Sequence, residues 1–303
     1  MSEIVKNRSE MLFLYEIENA NPNGDPLNEN RPRYDSEDGT VIVSDVRLKR
    51  TIRDYWFEYK GFNGTNDKDI FVRETNYTDG DKTYVADGKR RAKDFKEKRE
   101  TVINACIDVR VFGAVLPLEK SSITLTGPTQ FQMGRSLHKV EVITEQGTGA
   151  FASSDKKAQA TFRTEYKVPY ALIGFNGIVN EKAANYSQMT EDDKSLLKEG
   201  IWEGTKNLIS RSKFGQSPVF LLVIEYKDSF YIGNLRQRVS LKSEKNDLAI
   251  RGLADFELDL TQVLAELKKE KEHIASVTIK MDSRLKLVNK LNIVNEKLDI
   301  NAL

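Results

Sequence analysis

Met11-Leu-Phe-Leu-Tyr-Glu-Ile17 is short, apolar and aromatic, and reads as a buried β-strand. It runs into Asn19-Ala-Asn-Pro-Asn-Gly-Asp-Pro26, where Pro22, Gly24 and Pro26 supply turn chemistry. The loop continues through Arg31-Pro-Arg33 to Ser44, and Ser44 or Asp45 has the chemistry of a helix N-cap. Beyond it, Leu48, Ile52, Tyr55, Trp56 and Tyr59 fall within a stripe of ~100° at helical spacing. Arg47, Arg50 and Arg53 fall on the opposite side, with Lys49 at the boundary. The expectation is a helix with an aromatic-aliphatic inner face and an arginine outer face.

Outward from this β–loop–α start, the pattern repeats. Ile123 to Met133 alternates polar and apolar residues and reads as a second strand, with Gly127-Pro128 as a kink or bulge. Val168 to Val179 is a third strand. Thr190 to Ser210 is a helix, with Thr190 and Asp193 forming a capping-box-like start. Leu197, Ile201 and Leu208 make its apolar face, and Gly200 and Gly204 would permit close packing on a sheet. Val219 to Tyr226 is a fourth strand.

The resulting order, βαββαβ, places the chain in the α+β class, with a modified RRM or ferredoxin-like core. Two long insertions interrupt it, 61–100 and 135–168. The first contains Lys89 to Arg99, with seven basic residues against two acidic. The second is polar, with Gly147 and Gly149. A C-terminal extension over 255–303 carries a helix with apolar Leu260, Val263, Leu264 and Leu267, then a strand from Val277 to Met281. A single domain spanning 1–303 is expected.

The chain has 303 residues, with 47 Lys plus Arg against 46 Asp plus Glu and a formal charge of +1. Taken alone, that balance argues against a nucleic-acid binder, since such domains are usually basic. Hydrophobic residues at 39% and charged residues at 31% fit a folded, heavily charged globular protein. The longest apolar run, Val219 to Ile224, is far below the ~18 residues of a membrane span. Met1-Ser-Glu-Ile-Val-Lys-Asn-Arg8 has no apolar stretch of signal-peptide length, so a cytoplasmic protein with no membrane contact is expected. The lone Cys106 excludes an internal disulfide and reads as a small buried residue.

Candidate chemistry is sparse. His138 and His273 stand alone and read as surface or structural groups. Asp25, Asp35 and Asp45 could hold Mg²⁺, but in a turn-rich stretch they are more simply caps and turns. The alternation Asp255, Glu257, Asp259 reads as the solvated side of a strand or as a contact for a basic neighbour. No catalytic constellation, metal site or cofactor is expected. The arginine row suits successive phosphates, because guanidinium is a permanently charged bidentate donor. A solvated helix face is the plain alternative. No RNP1 motif is present, so a standard RRM stacking platform is not supported.

Asn19-Ala-Asn-Pro-Asn-Gly-Asp-Pro26, Arg31-Pro-Arg33 and Ser44-Asp-Val-Arg-Leu-Lys-Arg-Thr-Ile-Arg53 together resemble the backbone-subunit family of type I CRISPR Cascade complexes. Phe112-Gly-Ala-Val115 and Thr126-Gly-Pro-Thr-Gln-Phe-Gln-Met-Gly-Arg-Ser136 add to the match. The branch is most similar to type I-B, with type I-C close. The resemblance implies an RRM-like palm, copies that polymerise head to tail along a crRNA, and a hairpin thumb that displaces one guide nucleotide at intervals. The insertion at 135–168 lies where such a thumb belongs, and 61–100 would supply a finger-like lobe.

By the same resemblance, Ser44, Lys49, Arg50 and Arg53 match the family's backbone-contacting helix start. Arg47 joins them from the arginine row. Asn21, Asn23, Arg31 and Arg33 lie in the matching loop, and Gly134 and Arg135 end the strand from which the thumb departs. Phe151, Lys156, Lys157, Phe162 and Arg163 are thumb candidates. Phe there would either wedge against a base or form the hairpin's own small core.

The implied partners are crRNA, target DNA through guide pairing, further copies of the chain, the large subunit and the RNA-end-binding subunits. The implied role is a non-enzymatic RNA-binding scaffold. An endoribonuclease on the same core is the alternative, and a self-assembling structural protein a third reading. The +1 balance then averages over segregated patches: residues 47–53 carry Arg47, Lys49, Arg50 and Arg53 and no acid. A subunit that stacks on its own copies can turn acidic surface to neighbours and keep a basic groove for RNA.

Overall fold

The structure is a computed structural model that describes residues 2–148 and 162–302, with backbone only at 148, 162 and 163. Strand β1 spans Ser9–Ala20. Its alternation divides it between two cores. Met11, Phe13, Tyr15 and Ile17 join the cluster on the helical side, while Leu12 and Leu14 join the cluster on the other face. Burial on both faces is why this stretch is continuously apolar instead of alternating.

Helix α1 (Asp45–Tyr59) buries Leu48, Ile52, Tyr55 and Trp56, the expected stripe. Tyr59 departs from it: it is exposed at the helix end and stacks on Tyr55, with ring centroids 5.3 Å apart. Strand β2 (Thr129–Phe131) is the short core remnant of the expected strand Ile123–Met133. Ser122–Thr126 instead leaves the main sheet to pair with Gly113–Pro117. The break falls at Gly127, where a Cβ would lie 1.9 Å from the Phe112 carbonyl carbon. Only glycine lets the two backbones approach this closely.

Strand β3 (Phe162–Val179) is long, because it continues past the sheet into a hairpin. Helix α2 (Glu191–Lys206) starts on the capping box of Thr190 and Asp193 and stops before Ser210. Its glycines pack on α1 and not on the sheet. A Cβ at Gly200 would lie 2.9 Å from Ile52 Cγ2, and one at Gly204 would lie 3.1 Å from the Thr51 carbonyl. Trp56 Nε1 donates to the Leu196 carbonyl at 3.0 Å across the same contact.

Strands β4 (Gln216–Tyr226) and β5 (Ile274–Met281) extend the central sheet on the other side of β1, and Lys297–Leu298 pairs with β5 beyond them. Every pairing is antiparallel, and the order runs β5, β4, β1, β3, then β2 and Gly134–Ser136, with Thr40–Val43 beyond. Helices α1 and α2 cover one face. Residues 235–267 cover the other, with Leu253, Phe256, Leu258, Val263 and Leu267 packed on Leu222 and Tyr226.

The 61–100 insertion contains a hairpin, Asn76–Asp79 with Lys82–Val85, and a helix over Gly88–Asp94. Phe71 and Phe95 of this insertion join Val102, Cys106 and Leu116, which follow it, in a separate small core. No helix among the described residues is long and apolar enough to cross a membrane.

Candidate nucleic-acid interface

The loop after β1 is held by its own asparagines. Asn21 Nδ2 donates to the Asn30 carbonyl at 2.7 Å. Asn23 Oδ1 accepts from the Ser44 backbone N–H at 2.8 Å and from its hydroxyl at 2.9 Å. Ser44 therefore occupies the N-cap position without capping through its side chain; its hydroxyl ties the loop to the helix start. The family resemblance expects both Asn23 and Ser44 in the interface, and they are hydrogen-bond partners.

The insertion at 135–168 divides in two. Gly134–Ser136 remains in the main sheet, paired with Thr40–Val43, and Ser136, His138 and Val140 are buried. The projecting hairpin begins only at Ile143, with Ile143–Thr148 paired to the first residues of β3, from Thr148↔Phe162 to Ile143↔Lys167. Phe151, Lys156 and Lys157 lie outside the described residues. Phe162 and Arg163 sit in the hairpin strand, and their side chains lie outside the description.

Loop and hairpin meet at Tyr166. Arg31 donates to the Tyr166 hydroxyl at 3.0 Å and lies 4.3 Å from its ring centroid. The Tyr166 hydroxyl in turn donates to Glu29 at 2.7 Å. These hydrogen bonds, Tyr166 first and Arg31 second, hold the Glu29 carboxyl below its ordinary range. Between loop and hairpin base opens a groove of about 580 Å³, lined by Arg31, Arg33, Ser44, Met133, Thr144 and Tyr166, among others. Arg33 is partly exposed and lies 3.6 Å from Asp25. Tyr166 and the exposed Met133 escaped the sequence reading, since a single tyrosine or methionine in a polar stretch carries no spacing signal.

The arginine row on α1 is not the solvent-facing stripe that helical spacing suggests. Arg53 Nε bonds Asp108 at 2.9 Å, and Asp108 is fully buried. Arg50, the exposed member, pairs with Asp54 at 2.6 Å. Lys49 is buried, 3.0 Å from Asp45 and 3.2 Å from Gln130. Arg47 is half-buried and its Nε has no hydrogen-bond partner. The correction has a simple cause. Residues 69–72 and 107–112 pack against the side of α1 that a lone amphipathic helix would leave wet.

Gly134 and Arg135 also turn inward. A Cβ at Gly134 would lie 2.4 Å from the Phe175 ring. Arg135 Nη1 bonds Asp35 at 2.9 Å and Asp38 at 3.0 Å. Asp35 is held below the usual carboxylate range, first by that bond. Asp25 accepts from the Leu27 N–H at 3.2 Å in a turn, and Asp45 pairs with Lys49. Asp25, Asp35 and Asp45 thus serve as turn and ion-pair groups. Among the described residues no cluster of His, Cys, Asp or Glu is gathered as a metal site would need.

The remaining singled-out groups have structural settings. His138 is buried, stacks on Tyr170 with centroids 6.0 Å apart, and has its pKa lowered by burial. His273 stacks on Phe230 and lies 2.9 Å from Asp228. Asp255 contacts a basic neighbour of its own chain, Lys245, at 2.6 Å.

A sheet buried on both faces, a hairpin continuing from it and an arginine-lined groove at the hairpin's base define this α+β protein. The chain belongs to the CRISPR-associated protein Cas7 family, whose sequence model matches residues 7–261. A relative from Haloferax volcanii, described as CRISPR-associated protein Cas7, is 29% identical over 309 residues, covering 93% of this chain and 88% of its own. The fold is also similar to a chain of a solved "CRISPR RNA-guided surveillance complex, pre-nicking", with TM-score 0.56, 10% identity, and 93% and 96% of the two chains covered. A chain of a second solved "CRISPR RNA-guided surveillance complex" gives TM-score 0.52 at 12% identity, with 92% and 93% covered.

Proposed function

We propose that this chain is a crRNA-binding backbone subunit of a type I CRISPR Cascade surveillance complex, most like the type I-B branch. The observation that carries the reading is the Arg31–Tyr166 pair, which lines the groove where loop and hairpin meet in a chain of the Cas7 family. Guanidinium beside an aromatic face suits a single strand, taking the phosphate on one group and a base on the other. Such contacts carry no sequence information, so any guide is accommodated.

The strand order β4, β1, β3, β2 supports an RRM or ferredoxin-like palm. The paired strands over 143–148 and 162–167 would belong to the thumb, with the 61–100 insertion as finger lobe and 255–303 as extension. Copies would stack head to tail, a heterologous contact that leaves the assembly open. The guide they present would pair with target DNA, beside the large subunit and the RNA-end-binding subunits. The role is that of a scaffold without catalysis, and the engagement of Asp25, Asp35 and Asp45 in turns and ion pairs favours it over a nuclease.

Purified protein mixed with labelled single-stranded guide RNA tests this reading. Binding at low salt that weakens roughly tenfold in Tyr166→Ala is expected, from the ~1–3 kcal/mol of an aromatic–base stack. Intact RNA after incubation with Mg²⁺ is also expected. No binding, or site-specific cleavage lost in Asp35→Asn, would sink it.

A further inference from the structure

The two loop arginines that line the groove each stand beside an acid of their own loop. Arg33 lies 3.6 Å from Asp25, and Arg31 Nη2 lies 3.2 Å from Glu29 Oε2. Asp25 has a second task, since it accepts the Leu27 N–H at 3.2 Å in a turn. Glu29 has none: among the described residues its carboxylate accepts only from Arg31 and Tyr166.

The three side chains close a triangle. Arg31 Nη2 donates to the Tyr166 hydroxyl at 3.0 Å and to Glu29 Oε2 at 3.2 Å, and the hydroxyl donates to the same Oε2 at 2.7 Å. The Arg31 guanidinium also covers the Tyr166 ring, 4.3 Å from its centroid. Each group suited to a single strand is therefore already engaged in the free chain. The guanidinium takes a ring face, and a carboxylate takes the guanidinium with the charge and acceptor oxygens that a phosphate would bring.

The turn that delivers Glu29 is built against its residues' preference. Glu29 and Asn30 have φ of 50° and 58°, the left-handed region that a glutamate rarely adopts. The Asn30 N–H donates to the Asp25 carbonyl at 2.9 Å, and Asn21 Nδ2 to the Asn30 carbonyl at 2.7 Å, which hold it there. The triangle also stands between two grooves. Tyr166 lines both the groove of about 580 Å³ and a second of about 370 Å³, with Arg31 on the wall of the first and Glu29 and Asn30 on the wall of the second.

We propose that Glu29 is a latch: its carboxylate holds the Arg31–Tyr166 pair closed in the free chain, and a phosphate of the incoming RNA displaces it. The inference rests on the RNA-binding reading above and adds a control on that same site. Release of the latch frees the guanidinium for the phosphate and the ring face for a base, and joins the two grooves between loop and hairpin. A strand that reaches both loop and hairpin offsets the cost of opening, and an isolated anion does not.

The test measures affinity of the full chain for a labelled single-stranded RNA at low salt. Glu29→Gln keeps an acceptor for the Tyr166 hydroxyl and removes the charge. It should bind roughly fivefold more tightly than wild type, the upper end of what an exposed ion pair contributes. Arg31→Met should weaken binding, and adding Glu29→Gln to it should change nothing further, because the latch then has nothing to hold. A gain of equal size in the Arg31→Met background would mean that Glu29 only repels RNA at a distance, and the latch falls. Unchanged or weaker binding by Glu29→Gln would make Glu29 a brace for Arg31, and the latch falls while the RNA-binding reading stands. No binding by wild type and Glu29→Gln alike overturns both. The Glu29 and Arg31 side chains are 69% and 47% exposed, so these substitutions leave the core intact, and thermal unfolding of each variant checks it.

Discussion

Arg53 Nε donates to Asp108 Oδ2 at 2.9 Å, and Asp108 also accepts the backbone N–H groups of Phe71 and Val72 at 2.8 and 3.1 Å. One fully buried carboxylate thus ties α1 to the insertion that follows it. Removing it strands a charge and two amides.

Asp108→Ala is therefore expected to lower stability by about 3 kcal/mol, the cost of breaking a buried pair from one side. Arg50→Ala, at an exposed pair, should change it by less than about 0.5 kcal/mol. Urea unfolding of both variants checks the contrast. Equal effects would mean that Arg53, like Arg50, is a surface group.

Gly127→Ala is expected to be among the most costly glycine changes. Its Cβ would meet backbone atoms of Phe112 and Gly113 at 1.9 and 2.2 Å, and backbone cannot rotate aside. A loss exceeding about 2 kcal/mol is anticipated, at the upper part of the overpacking range. Gly147→Ala, with open space around it, serves as the control. If the two variants melt together, the junction between the main sheet and the Gly113–Thr126 sheet is looser than drawn.

Cys106 is fully buried between the helices Arg99–Ala105 and Ile107–Phe112, and burial, with Asp108 and Asp69 nearby, pushes its thiol well above the ordinary range. It should resist a thiol-reactive dye in the folded protein and react stoichiometrically after denaturation. Rapid labelling of the native chain would show that the small core around Phe71 and Phe95 opens readily.

The strands were legible where burial is two-sided. Met11 to Ile17 and Val219 to Tyr226 are unbroken apolar runs because both sheet faces are covered, and the helix at Asp45 followed from period and cap. Helical period also placed Arg47, Arg50 and Arg53 together. It could not tell that the insertion folds back over them, because Asp108 lies 55 positions from Arg53 and nothing local marks the pair. The split of Ile123–Met133 was half visible in Gly127-Pro128. A glycine signals close approach but not what approaches. Lys213 and Tyr166 were invisible for the same reason: each matters through a residue distant in sequence.

Lys213 gives the prediction with a definite sign in pH. Burial, then the charge of Arg47, lowers its pKa from 10.5 to about 8. Arg47 on α1 is the charge that acts on it, and Arg47 in turn registers the Tyr15 phenol on β1. Arg211, on its own loop, is exposed and lies 3.4 Å from Glu165. Burial pushes the Tyr15 phenol upward, so it stays neutral through the relevant range. The folded chain holds the Lys213 proton less tightly than the unfolded chain does. The unfolded state therefore binds more protons between about pH 8 and the ordinary lysine value, and this group's contribution to stability rises with pH there. Below about pH 8 the penalty is present in full. Lys213→Met removes it, so the stability of the variant relative to wild type should be most favourable near about pH 7 and decline toward about pH 10. Denaturant unfolding of both proteins across that range reads the difference. A difference flat in pH would show that the ammonium is well solvated in the folded chain.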